Sequence, residues 1–337
     1  MKQTLVNTIK HFILIAASVV LLLSGCKVPV SHPQRPLGEV KLVSGPSNCD
    51  GHDCYEVEVS SPQLAEIDNA LLKVGDPTTS PSRGTIMFMG GGNGTYLWGN
   101  QSEHAGRVIE ELRAAGFRTV QLQWERGWLT GARGQSEGPA RLASRPATVM
   151  RWVYDNLHQQ DDDRAFCATG NSGGSMQISY TLAHYGQANI FDAVVLTGGP
   201  PFGRIDLGLI HDDPNNEQYW FDAYGTRVAD ESFGFPPDST GPGARNDPSF
   251  RRQFQDASVS FGNWAYVYPE TMVWFLFGEN EYPVWEAQGM TYYNRLLEAG
   301  SPLVRLDTVS NTPHVVRSTK EGAEMIRDIL LKECRRR

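Results

Sequence analysis

Ala165-Phe166-Cys167-Ala168-Thr169-Gly170-Asn171-Ser172-Gly173-Gly174 decides the fold. Its first five residues read as a buried strand, Gly-x-Ser-x-Gly as a sharp turn, and residues 176–184 as a helix. Where a strand turns straight into a helix, the two pass within reach of each other and larger side chains would obstruct them. Glycines flank such a turn for that reason, and the apex residue sits in a strained backbone state. The start of the helix adds free N–H groups and a positive dipole end beside Ser172.

The same pattern occurs a second time, as Gly134-Gln135-Ser136-Glu137-Gly138. With 34 glycines in 337 residues, a chance match is expected on the order of 0.2 times, so context decides. Ser136 lies in a polar stretch just before Pro139, with no strand ahead and no helix behind, and reads as a loop serine.

Outward from Ser172, short apolar runs alternate with helical patterns. Strands are predicted at 55–60, 85–89, 118–124, 165–169, 192–197, 271–277 and 303–309. Helices are predicted at 103–115, 146–158, 176–184, 286–299 and 320–332. Pro146 suits a first helical turn, which leaves its missing N–H unneeded. This order predicts an α/β protein with a doubly wound, mostly parallel sheet. The gap between the strands at 192–197 and 271–277 far exceeds the usual connection of about 2–6 residues, so residues 200–268 form an insertion. It is rich in aromatics, among them Trp220, Phe221, Tyr224 and Trp264, and reads as a cap. Asp212-Asp213-Pro214-Asn215-Asn216-Glu217 lacks the spacing and central glycine of a calcium loop and reads as a solvated turn.

In its strand–turn–helix context, Gly170-Asn171-Ser172-Gly173-Gly174 resembles the nucleophile elbow of the α/β-hydrolase superfamily. The resemblance spans roughly residues 55 to 332 and implies the α/β-hydrolase fold, with catalytic residues in the order Ser, Asp or Glu, His. A serine hydroxyl is a weak nucleophile that needs a base, itself oriented by an acid. Three histidines follow Ser172: His184 in the next helix, His211 in the insertion, and His314 in the loop after the last strand. The superfamily carries its base in that loop, which selects His314. Gly278-Glu279-Asn280-Glu281-Tyr282-Pro283 resembles the Gly-x-x-Asp pattern at the acid position, carrying that role onto Glu281. Glu279 stays open as an alternative, and Asp206 as a more distant one.

Gly90-Gly91-Gly92 resembles the HGGG oxyanion motif of esterases, with Met89 in place of the histidine. The expected oxyanion donors are the N–H groups of Gly173 and of Gly91, with Gly92 next. The run lacks the Lys-Ser/Thr ending of a phosphate loop. Tyr96, Trp98, Trp124 and Trp128 follow strand ends on the active-site side and are expected to line the substrate pocket, with ordinary packing as the other reading. The resemblance implies hydrolysis of a small-molecule carboxylic ester through an acyl-enzyme on Ser172, with no cofactor and no metal. A serine peptidase or acyltransferase of the same fold, or a non-catalytic surface binding lipoprotein, remain the alternatives.

The ends and the charge complete the reading. Lys2 and Lys10, an apolar run from Phe12 to Leu23, and Ser24-Gly25 form the pattern of a secretory signal peptide over residues 1–25. The run is shorter than the roughly 20 residues that span a bilayer. Leu23-Ser24-Gly25-Cys26 resembles the lipobox of bacterial lipoproteins, which implies acylation of Cys26 and a membrane tether. Lys27 after the cysteine points to the outer membrane if the source is Gram-negative. Residues 26–45 read as a flexible tether and 46–337 as the folded domain. A net charge of −8, two units more negative without Lys2 and Lys10, makes nucleic acid a poor partner. Cys49 and Cys54 flank a turn-forming stretch and are expected to pair in an oxidising compartment; Cys167 and Cys334 are expected to stay unpaired.

Overall fold

In the computed structural model, which describes residues 32–237 and 240–336, nine strands form one sheet in the order β1-β2-β3-β5-β4-β6-β7-β8-β9. The strands are β1 Glu39–Cys49, β2 His52–Ser60, β3 Asp68–Gly75, β4 Gly84–Met89, β5 Phe117–Trp124, β6 Ala165–Asn171, β7 Ala193–Thr197, β8 Met272–Asn280 and β9 Val304–Pro313. The helices are α1 Glu103–Ala114, α2 Pro139–Leu142, α3 Ser144–Asn156, α4 Gly173–Ala183, α5 Ile205–Leu209, α6 Ala223–Ser232, α7 Arg251–Ala257, α8 Pro283–Ala299 and α9 Lys320–Glu333. From β5 to β9 every neighbouring pair is parallel, whereas β1, β2 and β3 join antiparallel. The expected doubly wound, mostly parallel sheet is what the chain forms.

Helices on both faces explain why the central strands are apolar throughout. On β4, Ile86 and Phe88 point into a core closed by Val108, Ile109 and Leu112 of α1 and Ile326 and Leu330 of α9. Met87 and Met89 point the other way, into the core shared with α3, α4 and α8. The α1 helix starts where the Ser102 side chain accepts a hydrogen bond from the N–H of Ala105. The α9 helix starts likewise at Thr319, whose side chain accepts from the N–H of Gly322.

The structure corrects three expectations. The tether expected over residues 26–45 ends earlier, because Glu39–Cys49 is an edge strand paired with β2. Register shifts between Leu42 and Ser44 and between Ser44 and Ser47 break its two-residue alternation, and most of its side chains are exposed, so no periodicity marks it. The strand β3 has no predicted counterpart, although Ala70, Leu72 and Val74 alternate into the core. Cys167 and Cys334 are bonded, with Cα atoms 5.9 Å apart, because α9 ends with Cys334 against the face of β6 that carries Cys167. Cys49 and Cys54 pair as expected, across the β1–β2 turn. The signal peptide 1–25, Cys26 and the first part of the tether lie outside the described residues.

The Cys167–Cys334 bond closes a loop of sequence separation 167. Replacing both cysteines by alanine is expected to lower the unfolding free energy by about 2–4 kcal/mol. Urea unfolding under non-reducing conditions measures this; equal midpoints for variant and parent would count against a stabilising bond.

Candidate active site

The C-terminal ends of the parallel strands meet where β6 turns into α4, the position at which open α/β sheets present their sites. Ser172 occupies this turn with φ 55° and ψ −116°, a backbone state that costs a non-glycine residue roughly 1–3 kcal/mol. It is held there on both sides. Its N–H donates to Thr197 O at 2.8 Å, and its carbonyl accepts from Met176 N–H and from Ser175 Oγ.

The glycines around Ser172 are required by contact. A Cβ on Gly170 would stand 2.4 Å from the carbonyl carbon of Gly174, and one on Gly174 would stand 2.3 Å from Met89 O. One on Gly173 would stand 2.0 Å from Gly92 O and 2.7 Å from Gly92 N, so the glycine loop after β4 lies directly against the turn. Gly91, Gly92 and Gly173 all line the cavity that holds Ser172.

Parallel pairing also brings His314 and Glu281 together. Asn280 of β8 stands opposite Pro313 of β9, so the next residue on each strand is the expected acid or base. His314 Nδ1 lies 2.6 Å from Glu281 Oε1. Because a carboxylate only accepts, Nδ1–H donates to it, and in the neutral imidazole the single ring proton is then on Nδ1 rather than Nε2. The Glu281 side chain is 1% exposed, and its Oε1 also accepts from the N–H of Tyr282 at 2.8 Å. Glu279, the alternative, instead accepts from Asn311 N–H at 2.7 Å on the exposed side of the strand. Asp206 is held by Arg204 through two hydrogen bonds at 2.9 and 2.8 Å.

The other two histidines lie elsewhere. His184 is buried against Trp264, its Nε2 3.2 Å from Ser258 O, and burial pushes its pKa down to about 3. His211 stacks on Trp220 within the insertion. Behind His314, Gly198 has φ +55° and a Cβ there would come within 3.1 Å of Nδ1. Asn171, which sequence reasoning did not single out, is buried one residue before Ser172. Its Oδ1 accepts from Val316 N–H and Thr197 Oγ1, both at 3.0 Å, and ties the turn to the His314 segment.

Ser172 and His314 share a cavity of ≈ 650 Å³, a size suited to a small organic ligand. The insertion supplies one wall through Asp222, Tyr224, Gly225 and Val228, with Met176, Phe202 and Trp285 adding apolar surface. Of the four aromatic residues expected to line it, only Tyr96 does. Trp98, Trp124 and Trp128 are fully buried beneath it. Trp98 packs on Phe88, Trp124 donates to Gln177 Oε1, and Trp128 donates to Gly92 O, so the last two brace the site from behind. Tyr224, named above among the aromatics of the insertion, lines the cavity, as do Tyr282, Trp285 and Arg317, which the sequence did not mark as pocket residues.

No protein-family model matches this sequence, and no curated protein matches it. Solved structures do. A highly thermostable carboxyl esterase from Bacillus coagulans aligns with a TM-score of 0.53 at 16% identity, over 83% of this chain and 97% of that one. Est1E from Butyrivibrio proteoclasticus aligns with a TM-score of 0.50 at 12% identity, over 87% and 96%. The acylaminoacyl peptidase of Pyrococcus horikoshii aligns with a TM-score of 0.52 at 12% identity, over 89% of this chain and 51% of that one.

The contact between Gly170 and Gly174 makes a specific demand. Gly170→Ala is expected to lower stability by at least about 1–3 kcal/mol, the usual range for overpacking. Ser136→Ala, in the second Gly-x-Ser-x-Gly copy, is expected to leave both stability and activity unchanged. Thermal unfolding of the two variants beside the parent checks this; an unaltered Gly170→Ala protein would contradict the contact. The likeness to the solved structures is one of architecture, and together with the sheet order and the strand–turn–helix at Ser172 it shows that the chain has the α/β-hydrolase fold.

Proposed function

We propose that this protein is a serine hydrolase that cleaves carboxylic esters through an acyl-enzyme. Ser172 is the nucleophile, His314 the general base and Glu281 the acid that orients it. The observation that carries the reading is the 2.6 Å His314–Glu281 pair, which opens onto the same cavity as Ser172 in its strained turn.

In the first half-reaction Ser172 Oγ bonds to the ester carbonyl carbon as its proton passes to Nε2 of His314. The carbonyl electron pair moves onto oxygen, which accepts hydrogen bonds from the N–H of Gly173 and of Gly91 or Gly92. Collapse expels the alcohol, which takes the proton from His314. Water then repeats the sequence on the acyl-enzyme and releases the acid. Glu281 keeps Nδ1 protonated and stabilises the imidazolium that forms in each step. The apolar side chains of Met176, Phe202, Val228 and Trp285 in the lining and the three-glycine loop favour an ester over a more polar peptide.

The Leu23-Ser24-Gly25-Cys26 sequence supports export and attachment to a bacterial membrane through a lipid on Cys26. A radioactive fatty acid is expected to label the parent and not Cys26→Ser.

Labelling with a fluorophosphonate tests the chemistry. The parent is expected to label and Ser172→Ala to remain unlabelled. On a small ester, His314→Ala is expected to lose as much turnover as Ser172→Ala, and the two losses should not add. Glu281→Gln is expected to retain more activity than either, and Glu279→Gln to match the parent. A folded His314→Ala protein with parental turnover would refute the proposed mechanism.

A further inference from the structure

Arg317 follows His314 by three residues, lines the same cavity and is 1% exposed. Among the described residues neither its Nε nor its Nη1 has a hydrogen-bond partner, and it makes no ion pair with a carboxylate. Its guanidinium carbon lies 5.5 Å from the centre of the Trp98 ring. Tyr96 lines the same cavity and is the side chain that counters the effect of burial on the guanidinium. Burial holds its pKa below the ordinary arginine value, yet arginine keeps its proton at any physiological pH. A buried cation without a carboxylate is destabilising by several kcal/mol. Such a group calls for negative charge nearby at some stage of the protein's work.

Tyr96 shows where that charge arises. A Cβ on Gly91 would stand 2.9 Å from Tyr96 Oη and 3.7 Å from Ser172 Cβ, so the hydroxyl and the nucleophile flank the same glycine. A Cβ on Gly90 would stand 3.2 Å from the Tyr96 ring. The first two glycines of the loop are therefore also the space in which the tyrosine lies. The other charged side chain on the cavity wall is Asp222, whose Oδ1 already accepts from the N–H of Gly225 at 2.7 Å.

Resting on the serine hydrolase reading, we propose that Tyr96 is a catalytic residue, a side-chain donor in the oxyanion hole, with buried Arg317 as its positioning residue. In this role the guanidinium is the donor to Tyr96 Oη, which directs the tyrosine's own proton into the cavity. As Ser172 Oγ bonds to the carbonyl carbon and the π pair moves to oxygen, the Tyr96 O–H donates to that oxygen beside the backbone N–H groups. It keeps its proton throughout, and Arg317 supplies fixed positive charge behind it in a site of low dielectric. Ground-state ester carries no such charge, so the effect falls on turnover.

The test compares parent, Tyr96→Phe, Arg317→Met, Arg317→Lys and the Tyr96→Phe/Arg317→Met double variant. Each is assayed on neutral p-nitrophenyl butyrate and on the mono-p-nitrophenyl ester of succinic acid, which carries a carboxylate. Tyr96→Phe is expected to lower kcat on both esters on the order of 10²-fold, with KM within about twofold, as loss of one oxyanion donor does. Affinity for a trifluoromethyl ketone, which forms a tetrahedral adduct, should fall by a similar factor. Arg317→Met should also lower kcat, Arg317→Lys should retain more, and the double variant should be no slower than about twofold below Tyr96→Phe. Parental kcat in Tyr96→Phe, or a change confined to KM, would overturn the proposal. So would a loss in Arg317→Met specific to the succinate ester, which would make the guanidinium a substrate-carboxylate site. Tyr96→Phe removes only the hydroxyl oxygen and carries the test if Arg317→Met does not fold. Ser172→Ala, run alongside, separates the two readings: if it is inactive while Tyr96→Phe is parental, only the tyrosine's role fails, and if it is active, both fail.

Discussion

Backbone touches backbone where β6 passes into α4, and the site is arranged around that contact. Gly170 and Gly174 face each other with no room for a Cβ, and Gly173 rests on Gly92 in the same way. Three chain segments, β6, α4 and the loop after β4, therefore meet at van der Waals distance around Ser172. A side chain at any of these positions would push the loop away from the serine. The strained φ of Ser172 is sustained by this crowding and by its hydrogen bond to Thr197 in the next strand.

Parallel strand pairing extends the arrangement to residues remote in sequence. Glu281 and His314 are 33 positions apart, yet each is the first residue beyond the paired ends of β8 and β9. Asn171 links β6 to the segment after His314, so the Glu281–His314 pair and the turn are fixed to one another by a buried amide as well as by the sheet. The geometry is thus a property of the rigid sheet, while the insertion between β7 and β8 shapes the cavity wall. Such a division lets pocket shape change without disturbing the strand ends.

Much of this is legible in the sequence because it rests on local pattern. The turn at Ser172 and the glycine loop at Gly90–Gly92 announce themselves through their glycines, whereas the carboxylate loop at Glu281 is legible only through its resemblance to the acid position of the α/β-hydrolase superfamily. The central strands are legible because burial on both faces leaves them continuously apolar. What escapes the sequence depends on contact across the fold. The edge strand β1 has bulges and exposed side chains, so it carries no alternation to detect. Trp98, Trp124 and Trp128 look like pocket aromatics by their position after strand ends, and only packing shows that they are fully buried and do not line the cavity. Arg317, in the short 3-10 turn Val316–Ser318, resembles a surface arginine until the fold closes over it.

The bond between Cys167 and Cys334 has a consequence for chain integrity. Ser172, Glu281 and His314 all lie between these two cysteines. Hydrolysis of one peptide bond anywhere from 168 to 333, including the long insertion, therefore leaves two fragments that remain covalently joined. A protease acting on the exposed surface of the insertion can nick the chain without releasing any part of the sheet.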